Sequence, residues 1–173
     1  MEVETDSGGL SKDGRKLLGY MNLASSVKEG RESAVDDFAS SLLRIMDYDT
    51  RDRMVRTRYD IAFFTCGVET RAQPDICVIA DEVRNLLLLV QGDRRLKSSH
   101  DPEYQVIAEV IAGYQENNKI RCENLLEPLD SMVFPCITMC GTFPIFYLVP
   151  VTKELNDGIM MGEYPKDGTT LYS

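Results

Sequence analysis

A chain of 173 residues is long enough for one domain with a full core, and 43 % hydrophobic against 27 % charged residues is the balance of an ordinary globular protein. A formal net charge of −9 excludes a protein whose whole surface grips nucleic acid, because phosphate binding rests on Lys and Arg. The longest apolar run, Leu86 to Val90, is far shorter than the ~20 residues of a membrane span.

The opening "MEVETDSGGLSKDG" is polar and acidic, with neither the basic nor the apolar region of a secretory signal. Residues 1–10 are expected to form a flexible tail ahead of a single domain over 11–173, in the cytoplasm or nucleus. Beyond Ser11, the spacing of Leu17, Leu18, Met21, Ala24 and Val27 predicts a helix that Gly30 ends. A second helix is predicted from Glu32 to Asp47 on the stripe Val35, Phe38, Leu42 and Ile45. Three strands follow, at 55–65, 75–80 and 85–91, close enough for an antiparallel meander; "GVETRAQP" between the first two reads as a loop. Asp101 as N-cap and Pro102 at the first helical position open a helix with apolar Val106, Ile107, Val110, Ile111 and Tyr114. Asn117-Asn118 suits its exit. Strands at 131–141 and 144–151, joined by the turn-like "GTFP", lead to a last helix from Lys153 to Met161 capped by Thr152. The order α-α-β-β-β-α-β-β-α predicts a mixed α/β (α+β) fold, a central mixed sheet flanked by helices.

Most catalytic machineries lack their motifs here: there is no G-x-S-x-G elbow, no G-x-x-x-x-G-K-[ST] loop and no G-x-G-x-x-G. Cys66, Cys77, Cys122, Cys136 and Cys140 form no C-x-x-C pair, and the sole histidine, His100, completes no usual zinc spacing. Buried reduced thiols are the expectation, with "CITMC" the one stretch that offers a ligand pair. The basic clusters "RDRMVRTR" (51–58) and "RRLKSSH" (94–100) read either as solvated faces or as a local cleft for phosphate. Carboxylates remain as the source of chemistry, through a metal or through acid–base work.

Pro74-Asp75 opens one strand, and the next ends in Gln91-Gly92-Asp93-Arg94; Glu32 opens the preceding helix, and the following helix carries Gln105 and Glu109 on one face. With the stretches "RTRYDIAFF", "LLLLVQGDRR", "DPEYQVIAEVIAGYQENN" and "FPCITMCGTFPIFYLVPVT", this resembles the PD-(D/E)xK, restriction-endonuclease-like nuclease superfamily, and uncharacterised fungal members of it in particular. The resemblance runs from about Glu32 to the carboxyl end. It implies an αβββαβ core whose second strand supplies Pro-Asp and whose third supplies acidic-x-Lys.

In such a site carboxylates hold a hard Mg²⁺ that activates water, and a lysine two residues past the acid lies on the same strand face. The resemblance gives Asp75, Asp93 and Glu32 as metal ligands, and Arg94 and Gln105 as further site residues. If acidic-x-Lys falls on Gly92-x-Arg94, the site is degraded: Gly92 offers no ligand, and Arg94 holds its proton too tightly to shuttle it. The opposite alternation, 91/93/95, reached by a slip or bulge of one residue, would instead bring Asp93 beside Asp75 and put Arg95 in the lysine's place, rebuilding a weaker metal site. The expectation is a pseudo-nuclease that binds nucleic acid, through Arg94, Arg95 and Lys97, or a protein partner. The alternatives are a weakly active Mg²⁺-dependent phosphodiesterase and an intracellular interaction protein with no nucleic-acid role.

Overall fold

The computed structural model describes residues 9–26, 32–80, 86–93 and 102–163. Its elements are α1 (Lys12–Ser25), α2 (Glu32–Ile45), β1 (Arg53–Thr57), β2 (Ile61–Thr65), β3 (Val68–Ala72), β4 (Ile76–Ala80), β5 (Leu86–Asp93), α3 (Pro102–Glu123), β6 (Ser131–Cys140), β7 (Phe143–Thr152) and α4 (Lys153–Met161). Five strands form one sheet in the order β1-β4-β5-β6-β7, while β2 and β3 form a separate hairpin. Every pairing in the large sheet is antiparallel except β5–β6, which is parallel because α3 carries the chain across between them. The mixed α/β architecture expected from the sequence is therefore present, with α2-β1-β4-β5-α3-β6 at its centre. No helix among the described residues is long and apolar enough to cross a membrane.

Local chemistry sets the helix starts. Ser11 Oγ accepts from the Gly14 N–H at 3.1 Å to cap α1, and Thr152 Oγ1 accepts from the Leu155 N–H at 3.2 Å to cap α4. The N-cap expected of Asp101 lies outside the described residues. α1 stops at Ser25, short of Gly30, where the Ser26 N–H and hydroxyl both turn back to the Leu23 carbonyl.

Two expectations need correction. The strand predicted over 55–65 is two strands, because Arg58 takes a left-handed φ of 50° and its N–H donates to the Asp75 carbonyl at 3.0 Å. The segment read as the loop "GVETRAQP" supplies β3, since Cys66 (φ 50°) and Gly67 (φ 74°) make the two-residue turn of a tight hairpin. That turn docks on α4. The Cys66 and Gly67 N–H groups donate to the Ile159 and Met160 carbonyls at 2.9 and 2.7 Å, satisfying acceptors that a helix end otherwise leaves open.

The sheet separates two apolar cores. On one face Cys77, Leu89, Phe134, Cys136 and Val149 meet Val106 and Val110 of α3, together with Ile61 and Phe63 of the hairpin. On the other, Ile76, Val78, Leu88, Val90 and Met139 meet Val35, Phe38 and Leu43 of α2. Sheet and hairpin thus enclose α3, which explains why it carries buried polar side chains as well as apolar ones. Cys77 and Cys136 are buried as expected, whereas Cys66 and Cys122 are exposed, in the hairpin turn and the last turn of α3.

The enclosed helix runs on past its expected exit at Asn117-Asn118, and both asparagines tie it to its surroundings. Asn117, wholly buried, accepts from the Leu86 N–H at 2.7 Å and donates to the Leu86 carbonyl at 3.0 Å. Asn118 makes the same two bonds with the backbone of Leu129, at 2.8 and 3.1 Å. Gly113 permits the close approach: a Cβ there would stand 3.2 Å from the Phe134 ring and 3.3 Å from Leu86. Replacing Asn117 by Ala leaves a buried N–H and C=O of Leu86 without partners. Urea unfolding of Asn117→Ala is expected to show a loss of about 2–4 kcal/mol, well above that of an exposed Asn→Ala change.

Candidate functional site

Asp75 lies immediately before β4, half-buried, at the end of the sheet where β1 hands the chain to the hairpin. Two arginines of the basic stretch 51–58 come to the same end. Arg58 bonds the Asp75 carbonyl through its backbone, and Arg56 stands opposite Cys77 in the β1–β4 register. Arg56 also stacks over the Tyr59 ring at 5.5 Å, as Arg53 does over Tyr48 at 5.7 Å.

Across the core Glu109 of α3, only 2 % exposed, feels the charge of Asp75. Its Oε1 accepts from Gln105 Nε2 at 3.3 Å, and its Oε2 has no hydrogen-bond partner among the described residues. Burial pushes its carboxyl up to about 8; the Gln105 amide works against that shift and the charge of Asp75 adds to it. At neutral pH Glu109 therefore holds its proton. Burial also drives the Cys77 and Cys136 thiols up to about 12, with Arg56 easing the rise at Cys77 and the Glu109 charge adding to both. Neither thiol supplies a thiolate nucleophile near neutral pH.

The residues expected at the site divide in three. Asp75 and Gln105 stand on the α3 side of the sheet, coupled through Glu109. Asp93 and Glu32 are placed by their backbones alone, at the end of β5 and the start of α2. Arg94, with the cleft residues Arg95 and Lys97, lies outside the described residues. Backbone alternation in β5 bears on the choice between 92/94 and 91/93/95. Leu89 belongs to the α3 core with Cys77, and Val90 to the α2 core with Ile76. Positions 91 and 93 therefore share the strand phase of Leu89, as Asp75 shares that of Cys77, while position 92 has the phase of Val90. The single register shift between β4 and β5 lies between Val78 and Ile79, away from this end.

Arg56 and Glu109 complete the cluster. The sequence placed Glu109 on one helix face with Gln105, but not its burial against the sheet, beside Cys77 and Cys136 and on the face of Gly113 and Asn117. Among the described residues no three His, Cys, Asp or Glu side chains come together as a metal-binding group. Asp75 and Glu109 offer two carboxyl groups, one of them neutral, and this donor set falls short of what a hard Mg²⁺ requires. No family model matches the chain, and no curated protein matches it.

The raised carboxyl has a consequence for stability. Folded chain keeps a proton on Glu109 that unfolded chain releases, so this contribution is complete below about pH 4.5 and is lost as pH rises towards 8. Wild type is expected to lose on the order of 3–5 kcal/mol across that interval relative to Glu109→Gln, in urea titrations run at successive pH values. Parallel pH profiles for the two proteins would contradict the buried, protonated state.

Proposed function

We propose that this chain is a PD-(D/E)xK nuclease-like protein with a degenerate site, which uses the nuclease scaffold to bind nucleic acid. One observation carries the reading: the connectivity α2-β1-β4-β5-α3-β6, with Asp75 at the mouth of β4 and the end of β5 beside it in the α3 phase. In that phase the register that pairs Ile76 with Val90, carried one residue further, sets position 91 rather than 93 opposite Asp75. The acidic-x-Lys positions therefore fall on Gln91 and Asp93. A neutral amide then stands where the acid belongs, and an acid where the lysine belongs. Placing the motif on Gly92 and Arg94 leaves the site degenerate as well.

Binding falls to the arginines. Arg56 and Arg58 bring fixed positive charge to the Asp75 end of a chain with a net charge of −9, and Arg94, Arg95 and Lys97 are the sequence's additions to that cleft. Such a local basic site contacts few phosphates, so its affinity is modest and its salt dependence shallow. A second reading, a weakly active phosphodiesterase, draws on the Asp75–Glu109 carboxyl pair. It requires Asp93 or Glu32 to complete the cation's ligands. Cytoplasm or nucleus, where such a substrate is found, is part of the same proposal.

Fluorescence anisotropy with single- and double-stranded DNA and RNA, beside cleavage assays with Mg²⁺ and Mn²⁺, tests the proposal. Wild type is expected to bind without cleaving. Arg58→Gly, which removes the charge and suits the left-handed backbone, is expected to keep the thermal midpoint and bind at least about threefold more weakly. The double substitution Gln91→Glu with Asp93→Lys is expected to gain Mg²⁺-dependent cleavage. Wild-type cleavage that disappears in Asp75→Ala would establish the second reading, and absence of binding to every nucleic acid would overturn both.

A further inference from the structure

The sheet is covered unequally. α2 packs over β1, β4, β5 and the near side of β6, whereas β7 takes its helix contacts from α3 and α4 on the opposite face. On the open face the β6–β7 register sets Val133, Pro135 and Ile137 against Pro150, Leu148 and Phe146. Val133, Leu148 and Phe146 are 57, 51 and 63 % exposed, and Met46, just past α2, is 58 % exposed beside them. Neither ten-residue strand contains an Asp, Glu, Lys or Arg. Between this face and the end of α2 runs an apolar groove of about 470 Å³, walled by Leu42, Met46, Tyr48, Pro135, Phe146 and Leu148.

We propose that this face is the interface of a symmetric homodimer, in which the β6–β7 surface of one copy packs against that of a second. Three features select a second copy as the occupant. The two strands of this face carry no charged residue for a charged partner to read, so their complement is another apolar surface, and a second copy supplies one of the same size. It holds both a projecting ring, Phe146, and a hollow, so a two-fold axis sets each ring against the other copy's groove. The area also suffices. Half-exposed side chains of this size offer on the order of 100 Å² each, and with the groove walls two copies reach roughly 1,000 Å², the lower end of specific interfaces.

The free edge of β7 is a poorer meeting place than its face. Pro144 and Pro150 remove N–H donors from that strand, which interrupts edge-to-edge pairing. The dimer is accordingly a face-to-face sheet contact. Association also sets two chains of net charge −9 against each other, so salt strengthens it by screening their repulsion. The inference is independent of the nuclease-like reading, since it uses neither Asp75 nor the arginines.

Sedimentation equilibrium of the full chain, from micromolar to submillimolar concentration at low and high salt, tests it. The expected result is a monomer–dimer equilibrium that tightens at least about threefold with salt. Phe146→Asp with Leu148→Asp is expected to weaken it by about 100-fold or more, because charge would be buried at the contact. Phe146→Ser, at a position already exposed in the monomer, serves as a milder second variant, expected to weaken the dimer about tenfold without lowering the thermal midpoint. A wild type that stays monomeric throughout overturns the proposal, whatever else covers the face. So does a dimer that loosens with salt or is indifferent to the Phe146→Ser change.

Discussion

Asn117 is wholly inside the protein and holds both backbone groups of Leu86, so the middle of the sheet is fastened to α3 by a side chain with no route to water. Inside a core of low dielectric such a bond is strong, and losing the clamp leaves two buried backbone groups unsatisfied at once. The clamp fixes α3 at the height that Gly113 allows over Phe134, and it fixes the start of β5. The register shift between Val78 and Ile79 then resets the phase, since Leu86 and Leu89 both face α3, and from Leu89 the alternation runs forward to positions 91–93. The phase of the candidate site is thus set by that shift, downstream of the clamp.

Packing of α3 on the sheet also accounts for the electrostatics. Glu109 shares the helix face of Gly113 and Asn117 and lies on the sheet side of α3, beside Cys77 and Cys136. The β2–β3 hairpin closes the second side, held by Gln115, which donates to the Phe64 carbonyl at 3.0 Å and accepts from the Phe64 N–H at 2.8 Å. Burial outweighs the Gln105 amide, and Glu109 stays protonated behind Asp75. Two carboxyl groups in one low-dielectric region avoid mutual repulsion when one is neutral, the usual resolution for such pairs.

Much of this fold was legible in the sequence. The stripes of α2 and α3, the caps Ser11 and Thr152, the apolar run of β5 and the β6–β7 hairpin each carry a local signal strong enough to survive packing. The hairpin β2–β3 was not legible, for two reasons of backbone chemistry. Its turn is Cys66-Gly67 in place of the familiar Asn-Gly, and the break before it rests on a left-handed Arg58 stabilised by a contact with distant Asp75. Asn117-Asn118 misled in the same way: asparagines that suit a helix exit became interior clamps once a partner strand lay beside them. Of the site, Asp75 and Gln105 could be read from motif position. Glu109's neutrality could not, because it depends on burial against the sheet, which no local pattern carries.

The central claim is that α3 is packed on the sheet tightly enough to keep a carboxylic acid uncharged behind Asp75. Carbon-13 NMR titration of the glutamate side-chain carboxyls, with Glu109 assigned by its absence in Glu109→Gln, measures this at the atom concerned. The account predicts one carboxyl with a midpoint near 8, unlike the solvent-exposed glutamates. A Glu109 midpoint near 4.5 would mean that water reaches α3, and would contradict the burial on which the site's electrostatics rest.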